Sequence, residues 1–95
     1  MPKARYYIDD STGLPHIYGH SVGEAEVEEV LERPAEDREG REGSRIAIGR
    51  TRDGRVLRVI YVPDTEPGSI FVITAYDLIG KARTAFNRRQ RRRSS

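Results

Sequence analysis

The chain has 95 residues, enough for one domain with a thin core, and combines 36% hydrophobic with 34% charged residues. It contains no cysteine, which excludes disulfide bonds, thiolate zinc sites and thiol catalysis. The formal net charge of +2 hides an asymmetry, since residues 81–95 carry seven basic and no acidic residues, whereas residues 1–80 hold ten basic against fifteen acidic residues. A cluster of arginines on an otherwise acidic small protein is typical of binding to phosphate backbones or other polyanions.

No apolar run approaches the ~20 residues that a membrane span requires, so we expect a cytoplasmic protein without a membrane partner. Residues 4–8 are predicted to form a short strand, and polar residues 9–13 end it. Pro15 then begins a predicted helical turn that carries both histidines of the chain, His16 and His20.

A capping-box pattern marks the next element. Ser21 is followed three residues later by Glu24, so that each side chain can reach the backbone N–H of the other. Apolar residues then recur with helical spacing at Val27, Val30 and Leu31. We therefore predict a helix from residue 22 to about residue 33 and a charged connection without periodicity over residues 35–44.

Asp53-Gly54 predicts a type I′ hairpin between strands over residues 45–51 and 56–62. In that register Thr51 lies opposite Val56, and Arg45 and Arg58 share one face of the sheet. The opposite face, which we expect the helix to cover, gathers Ile46, Ile48, Arg50, Leu57, Val59 and Tyr61.

A third strand is predicted over residues 69–76, and Asp77 then stands where a helix N-cap is expected. The last helix should begin at about Leu78 and fray among residues 88–93, so that residues 88–95 form a basic tail of the single domain 1–95. The order predicts an α+β domain with a small antiparallel sheet of three to four strands, a capped helix before it and a basic helix after it.

Metal-independent RNA cleavage needs a base for the 2′-hydroxyl proton, cations beside the phosphorus oxygens and an acid for the leaving oxygen. His16 and His20 are acid/base candidates, although either histidine can instead brace the helix entry. Tyr76 is a candidate for base stacking or proton transfer, with packing as the alternative. Arg58 lies within an apolar strand, where an unpaired guanidinium is costly, so it either pairs with a carboxylate or faces phosphate, and Arg83 is expected to join it.

Two histidines without a third ligand nearby do not indicate a metal site, and no cofactor is predicted. The terminal arginines should attract phosphate without reading sequence, unless they form only a solvated terminus. We expect Lys81 to line the same pocket as Arg58. The candidate RNA-binding residues are Arg45, Lys81, Arg88, Arg89, Arg91 and Arg92.

Five short blocks follow one another along the chain. They are HIYGHSV at 16–22, EEVLERP at 28–34, AIGRT at 47–51, LRVIY at 57–61 and VITA at 72–75. In this order they resemble the BrnT-like toxins of the RelE/ParE toxin superfamily. The resemblance implies a RelE/BrnT-like fold and a ribonuclease of the mRNA interferase type, the toxin of a type II toxin-antitoxin pair. It implies RNA as the substrate and a cognate protein antitoxin, usually DNA-binding, as the partner.

The sequence leaves two alternatives to a toxin function. One is a non-catalytic module that binds nucleic acid or an acidic protein through the basic helix, and the other is an inactive relative that acts through complex formation. The opposite charges of the body and the tail also permit a homodimer.

Overall fold

The computed structural model describes residues 3–94. It contains a five-stranded mixed sheet. Its strands are β1 (Lys3–Tyr6), β2 (Glu36–Glu39), β3 (Arg45–Arg50), β4 (Val56–Pro63) and β5 (Ser69–Asp77), in the spatial order β1-β5-β4-β3-β2. β1 runs parallel to β5, and the other pairs are antiparallel. The predicted α+β class is confirmed, whereas the predicted count of three to four strands, all antiparallel, is wrong.

Two α-helices, α1 (Glu24–Glu32) and α2 (Gly80–Ser94), cover opposite faces of this sheet. On the α1 face, Val27 and Val30 pack with Ala47, Leu57 and Val59. On the α2 face, Phe86 and Leu78 pack with Ile48 and Val56. Neighbouring strand residues therefore belong to different clusters, as the alternation of side chains along a strand requires.

The predicted hairpin register is wrong by one residue. Thr51 pairs with Arg55 rather than Val56, because its N–H donates to the Arg55 carbonyl at 2.9 Å and the loop contains three residues. Gly54 ends that loop with φ +85°, a left-handed conformation that glycine adopts without the steric cost of a Cβ atom. The one-residue shift turns every β3 side chain to the other face relative to β4, so Arg45 and Arg58 lie on opposite faces.

The predicted capping box is also wrong. Ser21 has a left-handed backbone, φ 59°, and ends a 3-10 helix, His16–His20, that begins after Pro15 as expected. It is therefore not in the extended conformation of an N-cap residue. Gly23 occupies that position, and its N–H donates to the carboxylate of Glu26 at 3.0 Å.

The connection predicted over residues 35–44 contains β2 and a second 3-10 helix, Arg41–Gly43. Asp77 is the last residue of β5 and binds Arg55, so its prediction as an N-cap is wrong; α2 begins three residues later, at Gly80. α2 extends to Ser94, and its Arg89 donates to Glu36 of β2 at 2.6 and 2.9 Å.

Arg55 joins three other segments of the fold. Its Nε and Nη2 donate to Asp77 at 3.1 and 2.8 Å, and its Nη1 donates to Glu26 at 2.8 Å and to the Ser21 carbonyl at 2.9 Å. These hydrogen bonds lower the pKa of the Asp77 carboxyl. One guanidinium thus ties the β3–β4 hairpin to β5, to α1 and to the end of the first 3-10 helix.

Candidate functional site

Four aromatic rings form a row beside β5. The ring centroids of Tyr7 and His16 lie 5.8 Å apart, those of His16 and His20 lie 5.1 Å apart, and those of His20 and Tyr76 lie 5.9 Å apart. The first 3-10 helix holds both histidines against β5, with Ile17 buried in the core of the α1 face. The structure therefore brings His16, His20 and Tyr76 together, three residues that the sequence singles out for chemistry.

A carboxylate orients the first histidine of this row. The Nδ1 atom of His16 lies 2.9 Å from the Oδ1 atom of Asp9, and both side chains remain about one-third exposed. Because an ionised carboxylate only accepts hydrogen bonds, Nδ1 carries the proton, which leaves Nε2 of a neutral imidazole free to accept one. Asp9 was not predicted as a site residue, because the polar run around it reads as a strand breaker.

Arg58 lies next to this row in the sheet. It pairs with Tyr76 across β4 and β5, and both residues lie on the α2 face. Its Nε atom is buried and makes no hydrogen bond to any residue in the range 3–94. Of the two alternatives raised by the sequence, pairing with a carboxylate is therefore absent from the described part of the chain.

The terminal helix lies on this same face. Arg83 is half-buried, its Nε atom donates to Asn87 at 3.4 Å, and its charge contributes to the low pKa of Asp77. Lys81, Arg88 and Arg91 are exposed along α2. Arg58 and Arg83 thus belong to the same side of the sheet.

Two of the candidate RNA-binding arginines are held in ion pairs. Arg45 lies on the α1 face, where Asp37 accepts a hydrogen bond from it at 2.9 Å, so the expectation that Arg45 shares a surface with Arg58 is wrong. Arg89 binds Glu36 and thereby lowers the pKa of that carboxyl. Arg92 lines a cleft of about 630 Å³ between α2 and β2.

The arrangement offers acid/base groups and cations without a metal cluster. Within residues 3–94, no group of three or more histidine, aspartate or glutamate side chains is placed to hold a metal ion. Within the same residues, no helix is long and apolar enough to cross a membrane. The ring row and Arg58 together contain an imidazole oriented by Asp9, a second imidazole, a phenol and a guanidinium that has no carboxylate partner within residues 3–94, the functional groups that phosphodiester cleavage uses.

In comparison with known proteins, one family model matches the chain. Residues 20–77 match the model of a domain of unknown function, DUF4258. This range includes His20, Arg58 and Tyr76 but ends before α2 begins. No curated protein and no solved structure matches the chain significantly.

Proposed function

Since the chain belongs to the DUF4258 family, whose domain has no assigned function, we propose a function from its own residues: a metal-independent ribonuclease, the toxin of a type II toxin-antitoxin pair. The proposal includes the fold relationship to the BrnT-like toxins of the RelE/ParE superfamily. The observation that carries it is the position of His16, His20 and Tyr76 in one ring row, with Arg58 paired to Tyr76 in the sheet.

The proposed reaction needs one base, one acid and one cation. The Nε2 atom of His16, oriented by Asp9, takes the proton of a 2′-hydroxyl, and the resulting oxygen attacks the adjacent phosphorus. The bond from phosphorus to the 5′-oxygen breaks, and His20 or Tyr76 protonates that oxygen. The products are a 2′,3′-cyclic phosphate and a 5′-hydroxyl end. Arg58 stabilises the charge that develops on the phosphorus oxygens.

The basic helix supplies the attraction for the substrate. Arg83 lies on the same side of the sheet as Arg58, and Lys81, Arg88 and Arg91 add exposed charge along α2. Contacts of this kind bind the phosphate backbone of any sequence and weaken as salt concentration rises. Affinity for RNA is therefore expected to fall steeply between low and physiological salt.

The test is cleavage of RNA by purified protein in the presence of a chelator. We expect products with cyclic phosphate ends, and growth arrest when the chain is expressed alone. His16→Gln should slow cleavage by roughly 10²-fold or more, the range for loss of an acid/base group. Tyr61→Phe is the matched control, because Tyr61 lies on the α1 face and binds Asp37. Clean protein that neither cleaves RNA nor arrests growth would refute the proposal.

A non-catalytic nucleic-acid-binding module is the second candidate, favoured by the exposure of Arg88 and Arg91 on a helix that other arginines fix to Glu36 of β2 and to Ala35 just before it. In that case Arg88→Ser with Arg91→Ser removes most of the binding, whereas His16→Gln and Tyr76→Phe change little. This pair of substitutions spares the contacts of Arg89 with Glu36 and of Arg93 with the Ala35 carbonyl. A short adjacent reading frame for an acidic, DNA-binding antitoxin would favour the toxin pair.

A further inference from the structure

A cavity of about 490 Å³ opens on the α2 face of the sheet. Arg58, Ile46 and Ile60 form its strand wall, and the loop from β2 to β3 forms the other side. The residues that line it there are Glu39, at the end of β2, and Gly40, Arg41 and Ser44 of the loop. Its volume lies within the range of small-molecule sites, roughly 300–1,000 Å³.

Two polar groups without partners among residues 3–94 lie at this cavity: Arg58 lines it, and Thr74 lies beside it as the ladder partner of Ile60. The Nε atom of Arg58 and the Oγ1 atom of Thr74 are both buried, and neither makes a hydrogen bond within residues 3–94. Thr74 pairs with Ile60, two positions along the ladder from the Arg58–Tyr76 pair, and all four side chains lie on the α2 face. Buried polar groups are nearly always hydrogen-bonded in folded proteins. Two exceptions on one small area therefore indicate a surface that is completed by a ligand.

Charge and shape define the class of that ligand. Arg58 and Arg41 outweigh Glu39, so the cavity favours an anion, and a guanidinium matches the geometry of a phosphate group. Ile46 and Ile60 offer an apolar surface beside that charge. Tyr76, adjacent to Arg58, offers a ring on which a neighbouring base can stack.

We infer that this cavity binds one nucleotide of single-stranded RNA, with its phosphate at Arg58 and its base against Ile46 and Ile60. The inference rests on the proposed function and names the subsite that positions the RNA beside the ring row. Because a guanidinium also matches a carboxylate, an acidic side chain of a protein partner is the competing occupant. The ring of Tyr76 next to the cavity favours the nucleotide.

The test uses the full chain and calorimetric titration with adenosine 5′-monophosphate, adenosine, inorganic phosphate and an N-acetylated, amidated glutamate. We expect the nucleotide to bind at least 10-fold more tightly than any of the other three probes. Arg58→Met should weaken nucleotide binding roughly 10- to 100-fold, the effect of losing hydrogen bonds to a charged group. Arg50→Met is the matched control, because Arg50 lies on the same face but over the Phe86 ring, outside the cavity.

Thr74→Val gives a second variant that retains shape, with an expected loss of several-fold in nucleotide affinity. Equal binding of inorganic phosphate and the nucleotide would overturn the base contact and with it the inference. Tighter binding of the glutamate probe would overturn it in favour of a protein partner, and so would unchanged nucleotide binding by Arg58→Met. Wild-type protein that cleaves RNA but binds no mononucleotide would refute the inference and leave the proposed function in place. Nucleotide binding without RNA cleavage would support the inference and refute the proposed function.

Discussion

Arg55→Ala should destabilise the protein by about 2–3 kcal/mol. The Arg55 guanidinium donates to two carboxylates and one carbonyl, and its side chain is 25% exposed, with Glu26 at 20% and Asp77 at 44%. Loss of one partner of a buried ion pair costs roughly 3–5 kcal/mol and loss of a surface pair about 0–1 kcal/mol. The intermediate exposure places Arg55 between these limits, with most of the effect from Glu26, which remains partly buried without its cation.

Urea denaturation of the wild-type chain and Arg55→Ala measures this difference, which corresponds to a fall in Tm of roughly 10–20 °C for a domain of this size. Arg52→Ala is the matched control in the same hairpin, because within residues 3–94 only the backbone N–H of Arg52 donates, to Glu29 at 2.7 Å. The Asp77 pKa is lowered in the folded state, so its contribution is present above the unfolded pKa of about 4 and disappears as pH falls through the folded pKa. The difference between the two proteins should therefore shrink in acid. A loss below about 0.5 kcal/mol at pH 7 would refute the reasoning.

Three further outcomes follow from named contacts. Arg58→Met should raise the free energy of unfolding by about 1 kcal/mol in urea, because it removes a buried donor that has no partner within residues 3–94; a marked loss of stability would show that the guanidinium is satisfied. Gly49→Ala should lower stability by roughly 1–2 kcal/mol, since a Cβ atom there would lie 3.3 Å from Val30 and press α1 from the sheet; an unchanged Tm would contradict this. Glu36→Gln should lower the free energy of unfolding by about 1 kcal/mol and increase hydrogen exchange in the last turns of α2. Because Arg89 lowers the Glu36 pKa, acid should increase the same exchange in the wild-type chain. If neither change alters hydrogen exchange in α2, the Arg89–Glu36 pair does not anchor the helix.

Local sequence patterns predicted the elements better than their pairing. The α1 stripe, both strands of the hairpin and β5 were visible as apolar periodicity. His16, His20 and Tyr76 were each selected as site residues, but the sequence did not predict that the two histidines lie beside Tyr76. β2 was missed because its residues, EDRE, have low strand propensity, and its pairing with β3 comes from tertiary contact.

The registers could not be derived from the strands themselves. Asp-Gly fits a two-residue loop and also a three-residue loop with a left-handed glycine, and the choice between them moves every β3 side chain to the other face. The position of Arg45 was wrong for that reason alone. Ion pairs between distant segments, such as Arg89 with Glu36 or Arg55 with Asp77, leave no periodic signal in the sequence.

The parallel pairing of β1 with β5 joins Lys3 to Ser69 and Tyr6 to Val72, and the N–H of Tyr7 continues it to the Val72 carbonyl. Because β1 and β5 are far apart in the sequence, their pairing is slow to form and requires that β5 has been synthesised. During synthesis the histidines emerge before β5 and cannot pack against it until residues 69–77 have followed them. The ring row is consequently among the last features to assemble, and an incomplete nascent chain would lack it.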